Sequence, residues 1–364
     1  MRADGVTGRA CFRNTAAKEC GYKAERAQKA SKKMKRGRTM KISRFLICVL
    51  AMAVLCLGGK ARAAEEPAAI SFGIISTESS ITLKQLWEPF IEAMSKRTGV
   101  PVKAYFASDY AGIIEAMRFG KVDVAWTGNK GAMGMVDRSG GEIFAQAISA
   151  GGESGYYSLL IVNKDSSLKT LDDVLSHAKD LTFSNGDPNS TSGNLVPGYY
   201  IFAKRDLDPR KIFKRTLNGS HEANAMAVAN GKADVATFNS SSMKRLTGTH
   251  PDVAEKLRVV WTSPVIPDNP MVWRKSLPDD LKAKIKAFVL DYGTRGPDAA
   301  AERAQLQKIN REGFRASDDS QLIPLRKIEC YRQIVKIQDS QTMSDEEKKA
   351  KIAELNAQMK KYGD

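Results

Sequence analysis

Two stretches of this sequence repeat one another once a two-residue gap is allowed: Glu115-Ala-Met-Arg-Phe-Gly-Lys-Val-Asp-Val-Ala-Trp126 and Asn224-Ala-Met-Ala-Val-Ala-Asn-Gly-Lys-Ala-Asp-Val-Ala-Thr237. Each passes from an apolar-periodic helix through a Gly-Lys turn to an Asp and a short apolar strand. Glycine at the helix end supplies the left-handed residue that stops it. Asp123 and Asp234 fall at matching places, 111 residues apart. The echo implies two similar α/β lobes; the bland alternative is that helix-Gly-strand junctions converge in any α/β protein.

The segments around the echo alternate in the same way. Residues 69–75 are short, β-branched and aromatic, the signature of a strand. Leu83, Leu86, Trp87, Phe90, Ile91 and Met94 then recur at helical spacing up to Gly99, and 100–106 reads as a second strand. This is the β-α-β unit of open parallel sheets. Further helices are expected at 111–119, 171–177, 196–205 and 222–229, and strands at 122–126, 157–163, 181–184, 233–238 and 259–262. Beyond residue 279 the chain turns mainly helical, with Leu281, Ile285, Phe288 and Val289 as one stripe. A charged amphipathic helix runs from Ser344 to Tyr362.

Charge is unevenly placed. Residues 1–63 carry 16 Lys+Arg and three Asp+Glu, +13 of the total +16, which leaves +3 for the rest. Lys41 and Arg44 precede an apolar run from Phe45 to Leu57, followed by the small-residue triplet Ala61-Arg62-Ala63. That is the pattern of a cleavable secretory signal, with the cut after Ala63. The run falls short of the roughly 20 residues a membrane span needs. Neither Cys48 nor Cys56 follows a small residue, which argues against a lipid anchor. Met40 stands where such a signal should start, so 1–39 is expected to be an upstream, non-structural leader and 40–63 the signal peptide. The basic leader alone could bind nucleic acid, but export argues against a nucleic-acid partner. Four of the five cysteines lie in the leader, leaving Cys330 alone, so the fold is expected to stand on its core and not on a disulfide.

The most informative loop is Phe183-Ser-Asn-Gly-Asp-Pro-Asn-Ser-Thr-Ser-Gly-Asn-Leu195, a strand leading through a turn into a Ser/Thr/Ser/Gly cluster that opens a helix. One of these hydroxyls could simply cap the helix. Together, though, three hydroxyls, a glycine and the free N–H groups of a first turn make an anion site that needs no Lys or Arg. The Gly-Lys-Ser/Thr ending of a nucleotide-binding loop is missing. His221 opens a second loop-to-helix junction and could donate to the same anion, or be an exposed turn histidine. Tyr110 sits at a third, and Tyr156 begins a strand; each taken singly could be core. His177 and His250 show no zinc spacing, so no metal and no cofactor are expected. Without a nucleophile-elbow pattern around Ser190 or Ser192, no enzyme is expected.

Several of these motifs carry a resemblance: Phe72-Gly-Ile-Ile-Ser-Thr-Glu78, Asp109-Tyr-Ala-Gly-Ile-Ile114, Gly186-Asp-Pro-Asn-Ser-Thr-Ser-Gly193, Val196-Pro-Gly-Tyr-Tyr200, His221-Glu222 and Val272-Trp-Arg274. From about Phe72 to Leu325 the chain resembles the periplasmic phosphonate-binding protein of phosphonate ABC importers. The resemblance implies an α/β, two-lobed type II periplasmic binding-protein fold that closes like a flytrap, each lobe a mixed or parallel sheet flanked by helices. Lobe 1 would comprise 64–155 and 268–340, lobe 2 156–267, with crossings near Tyr156 and Ile266, and 341–364 a C-terminal charged helix. It also implies delivery to an ABC permease and its ATPase.

By position, the resemblance places the phosphonate oxygens on Ser190, Thr191, Ser192 and His221, with Tyr110 and Tyr156 reaching in. Where relatives that hold aminoalkylphosphonates have carboxylates around the ammonium group, this sequence has Ser241 and Asn269, with Asp268 one residue earlier as a partial substitute. An ammonium closed into a cleft without an opposite charge is costly to desolvate. The expected ligand is therefore a phosphonate with an uncharged tail, such as methyl- or ethylphosphonate, or a related phosphorus oxyanion, held by neutral donors and not by a salt bridge. The alternatives are a periplasmic sensor domain on the same lobes and a serine-dependent esterase using Ser190 and His221. The C-terminal helix could also form a homodimer or simply be a solvated surface.

Overall fold

The computed structural model describes residues 69–151 and 155–363. The expected leader, the signal segment and its cut after Ala63 lie outside the described residues. The strands among them are, in chain order, β1 (Ile70–Ile74), β2 (Val102–Phe106), β3 (Val124–Trp126), β4 (Gly141–Ser149), β5 (Gly155–Tyr156), β6 (Ser158–Asn163) and β7 (Thr182–Gly186). After these come β8 (Arg215–Gly219), β9 (Val235–Asn239), β10 (Leu257–Thr262), β11 (Ile266–Pro267), β12 (Pro270–Arg274) and β13 (Arg311–Ala316).

They form two mixed sheets, ordered β13-β4-β12-β3-β1-β2 and β10-β6-β9-β7-β8, and a two-stranded pair, β11-β5. In the first sheet β1 lies parallel between β2 and β3; in the second, β7 lies parallel between β8 and β9. Each third strand is then joined by an antiparallel one, β12 on β3 and β6 on β9. The chain passes between the sheets at β5 and β11, where Ile266 pairs with Tyr156 and Pro267 with Gly155. A Cβ on Gly155 would lie 2.0 Å from the Ile266 carbonyl oxygen, so only glycine allows this crossing.

The echo seen in the sequence is a structural repeat. Asp123 accepts from the Ser71 N–H at 2.9 Å and returns its own N–H to the Ser71 carbonyl at 2.8 Å. Asp234 does the same with Thr182, at 2.7 and 3.0 Å. Gly120 and Gly231, at φ 67° and 66°, end the two preceding helices. Each Asp thus ties its turn to the central strand of its sheet.

The core of the first sheet gathers on Phe90, whose ring meets Phe72, Trp87, Phe288, Tyr292 and Phe314 at centroid distances of 4.8–5.8 Å. This ties helix Ser80–Thr98 to helix Asp279–Asp291 and to β13, with Ile285, Phe288 and Val289 buried as their spacing predicts. Ser79 caps the first helix, and Gly99, at φ 72°, ends it. Phe183, Phe202 and Phe213 centre the second core, with Leu160, Val162 and Val235 beneath.

Several elements escape the periodicity reading, β8 and β12 among them. Helices Asn129–Arg138 and Ser240–Thr249 begin with polar or glycine-rich turns that blur the apolar stripe. Strand β4 is almost wholly buried, so its apolar residues do not alternate. Strand β13, within the stretch expected to be helical, offers a single large apolar residue, Phe314. The helix expected at 196–205 instead opens at Thr191 with a wide π turn, continues through a second at Gly198–Phe202 and closes in a 3-10 turn, Ala203–Arg205.

Candidate ligand-binding site

The wide turn at Thr191 is dictated locally. Pro197 has no N–H to give the Gly193 carbonyl, which accepts from Thr237 Oγ1 of β9 at 2.8 Å. The Ser192 carbonyl accepts from Ser158 Oγ of β6 at 2.6 Å. Two neighbouring strands thereby hold the loop by the carbonyls that a regular helix would have used. Gly186 and Gly193 must be glycines, because a Cβ on Gly186 would fall 2.5 Å from the Gly193 Cα.

Ser190 caps this turn, its Oγ accepting from the Gly193 N–H at 3.0 Å and keeping its own proton to donate. Thr191 Oγ1 accepts from the Lys130 N–H at 2.9 Å, across from the other sheet's side. First-turn N–H groups have no intrahelical acceptor and carry the positive end of the helix dipole. His221 opens helix His221–Ala229, with Ser220 as its cap, and its Nε2 lies 3.5 Å from Ser190 Oγ and 3.4 Å from Ser192 Oγ. Tyr110 opens helix Tyr110–Arg118, capped by Asp109. All three helices start where parallel strands end, the customary ligand edge of open α/β sheets.

All eight residues singled out from the sequence are buried, and all line one cleft of about 310 Å³: Tyr110, Tyr156, Ser190, Thr191, Ser192, His221, Ser241 and Asn269. Burial pushes the Tyr110 phenol well above its usual range and that of Tyr156 to about 12, so both remain donors. Burial lowers His221 from 6.5 to about 4, with Glu78 opposing and Arg245 reinforcing the shift, so the imidazole is neutral at pH 7.

Charged groups missed by sequence reasoning also reach the cleft. Arg245 lines it and gives Nε and Nη2 to one oxygen of Glu78, at 2.9 and 2.5 Å. Arg311 lines it too, 3.8 Å from Asp268. The expectation of neutral donors alone is therefore incomplete: two guanidinium groups border the cavity. The Asp268 carboxylate faces the other way, accepting from Ser149 N at 3.0 Å and Ser149 Oγ at 2.9 Å, so it does not substitute at the position of Asn269. Among the described residues no Asp or Glu lines the cavity.

Three buried polar atoms of the lining have no partner among the described residues: Trp126 Nε1, His221 Nδ1 and Arg311 Nε. Native interiors seldom leave polar atoms unpaired, so these three are the atoms of the cleft wall still open to a partner. The unpaired His221 Nδ1 also answers the esterase alternative: no carboxylate orients the imidazole, as a nucleophilic serine would require. Among the described residues no cluster of His, Cys, Asp and Glu could hold a metal; His177 and His250 lie outside the cleft.

Several contacts link the two sides of the cleft. Ser79 N donates to Glu222 Oε2 at 2.6 Å, Glu222 N to the Thr77 carbonyl at 3.2 Å, and Tyr110 N to Asp187 Oδ2 at 3.3 Å. With the Arg245–Glu78 pair, they hold the cleft shut.

The family of ABC-transporter phosphonate periplasmic substrate-binding proteins matches residues 72–322. The chain is 49% identical over 299 residues to the phosphonates-binding periplasmic protein of Escherichia coli K12, covering 82% of this chain and 87% of that protein. A binding-protein component of a phosphonate ABC transporter from Pseudomonas aeruginosa superposes with a TM-score of 0.78 at 54% identity, covering 82% of this chain and 97% of that one. PhnD1 of Prochlorococcus marinus, solved with methylphosphonate, shares the fold with a TM-score of 0.64 at 22% identity, over 72% of this chain and 97% of that one. The two sheets with their flanking helices form the two-lobed type II periplasmic binding-protein fold. Built as a binding and not a catalytic cleft, the chain belongs to the periplasmic phosphonate-binding proteins of ABC transporters.

Proposed function

We propose that the chain captures small phosphonates whose tail carries no ammonium group and hands them to an ABC permease and its ATPase. Ser190, Thr191, Ser192 and His221 hold the phosphonate oxygens, Tyr110 and Tyr156 close over them, and Ser241 and Asn269 face the tail. The single observation that carries this reading is the convergence of these eight buried residues on one cavity that no carboxylate lines. An ammonium group there would lose its hydration without gaining a counter-charge. Closure follows from differential affinity: a ligand that touches both lobes favours the state in which both are near.

Lobe limits of 64–155 with 268–340, and 156–267, go with this proposal; the crossing at Gly155–Tyr156 and Ile266–Pro267 supports them as the hinge. Export with cleavage after Ala63 is tested by mass spectrometry of the periplasmic protein. A homodimer through the C-terminal helix Asp345–Lys361 would have to use its charged outer face, because Leu355 is buried and Cys330 of helix Ile323–Gln338 packs beside Gln358; sedimentation tests it.

Calorimetric titration with ethylphosphonate, 2-aminoethylphosphonate, phosphite and phosphate decides the ligand. Tighter binding of ethylphosphonate than of the amine is expected. Preference for the amine would refute the tail assignment, and no binding of any phosphonate would refute the capture reading.

A further inference from the structure

The tail end of the cleft is not neutral. Arg311 sits on β13 with almost its whole side chain buried, and its Nη1 donates to the Asn310 carbonyl at 2.9 Å, to Ser149 Oγ at 3.3 Å and to Ser241 Oγ at 3.4 Å. Its Nε has no acceptor. Asp268 forms a buried ion pair with the Arg311 Nη1 at 3.8 Å, without a hydrogen bond, while its two oxygens accept from Ser149 N and Oγ. Arg245 gives its Nε and Nη2 to one oxygen of Glu78, and Nη2 also to Ser242 Oγ. Arg311 is thus a buried cation of the cleft wall with one donor, Nε, unpartnered among the described residues.

What surrounds it points the same way. Ser241 lies in the first turn of the ten-residue helix Ser240–Thr249, whose dipole turns its positive end to this corner, and the Asn269 amide lines the same cavity. A methyl or ethyl tail would leave the Arg311 Nε buried and unpaired, which costs more than an ordinary hydrogen bond gains. An anionic tail would satisfy it in a charge-assisted bond.

Resting on the capture reading, we infer that Arg311, Ser241 and Asn269 form a second anion subsite, and that the ligand class is a phosphonate whose tail ends in a carboxylate. The phosphonate group occupies the Ser190–Thr191–Ser192–His221 end; the carboxylate lies against Arg311.

Calorimetry of the unaltered protein with phosphonoacetate, 3-phosphonopropionate, ethylphosphonate and 2-aminoethylphosphonate tests this. One of the two phosphonocarboxylates should bind about tenfold or more tighter than ethylphosphonate. In Arg311→Gln that ratio should collapse toward unity. If ethylphosphonate binds as tightly as both phosphonocarboxylates, the second subsite is refuted while phosphonate capture stands. If no phosphonate binds, both readings fall together. A preference that survives Arg311→Gln would also overturn the assignment to this residue.

Discussion

His221 gathers the chemistry of the cleft at one side chain. Burial depresses its pKa from 6.5 to about 4, so the unfolded chain binds a proton in that interval that the ligand-free fold refuses. Stability from the neutral imidazole is complete above pH 6.5 and is lost as the pH falls toward 4. The difference between the wild type and His221→Gln in urea unfolding should therefore shift by roughly 2–3 kcal/mol between pH 7.5 and 4.5, the wild type losing more. At the tail end, Ser241→Glu with Asn269→Asp should raise affinity for 2-aminoethylphosphonate. Arg311 lies close enough to Ser241 to capture the new carboxylate, so adding Arg311→Gln should raise it further, about tenfold in all; calorimetry of the wild type and the two variants checks the order. The hydroxyls, His221 and Tyr110 stand at strand-to-helix junctions with a local signature, whereas Tyr156 lies in the crossing strand β5 and the ligand role of both tyrosines came only with the family resemblance. Arg245, Arg311 and Glu78 were not legible. Arg245 looks like part of a solvated Met-Lys-Arg run, and its partner Glu78 is 167 residues away in sequence.

Among the elements, the loop at Thr191–Leu195 depends on β6 and β9, whose Ser158 and Thr237 hydroxyls hold its carbonyls. Thr237→Val keeps shape and apolar volume but leaves the Gly193 carbonyl buried without a donor. It should cost about 1–3 kcal/mol of stability and weaken phosphonate binding, with Thr237→Ser restoring both; denaturant midpoints and calorimetry on the pair separate this from a packing effect. The helices and strands with clean periods, from Ile70–Ile74 to Asp279–Asp291, were readable from the sequence. β13 was hidden because only Phe314 advertises it, and with it went Arg311, which lies at its first position. The π turns were hidden for another reason: they arise where Pro197 removes a donor and side chains from other strands claim the carbonyls, information no single segment holds.

For the molecule as a whole, closure rests on bonds that exist only when the lobes meet. Glu222→Ala removes the acceptor of the Ser79 N–H at 2.6 Å but touches neither core nor ligand. It should weaken phosphonate binding about tenfold while leaving the ligand-free unfolding midpoint nearly unchanged. Small-angle scattering, showing a more open ligand-free form, would confirm that the loss lies in the closing equilibrium. The constant interval between the lobes reaches further than the two aspartates. Ser79 and Ser190 cap equivalent helices, each accepting from the N–H three residues on; Tyr110 and His221 begin equivalent helices; Asn129 and Ser240 begin the next pair. All of these pairs are 111 residues apart. The cleft is thus a pseudo-palindrome whose halves share a scaffold and differ in side chains, so every substitution in one half has a built-in counterpart in the other. The two ends of the cleft become chemically distinct only at the handful of places where the palindrome is broken, foremost an imidazole where its mirror position holds a phenol.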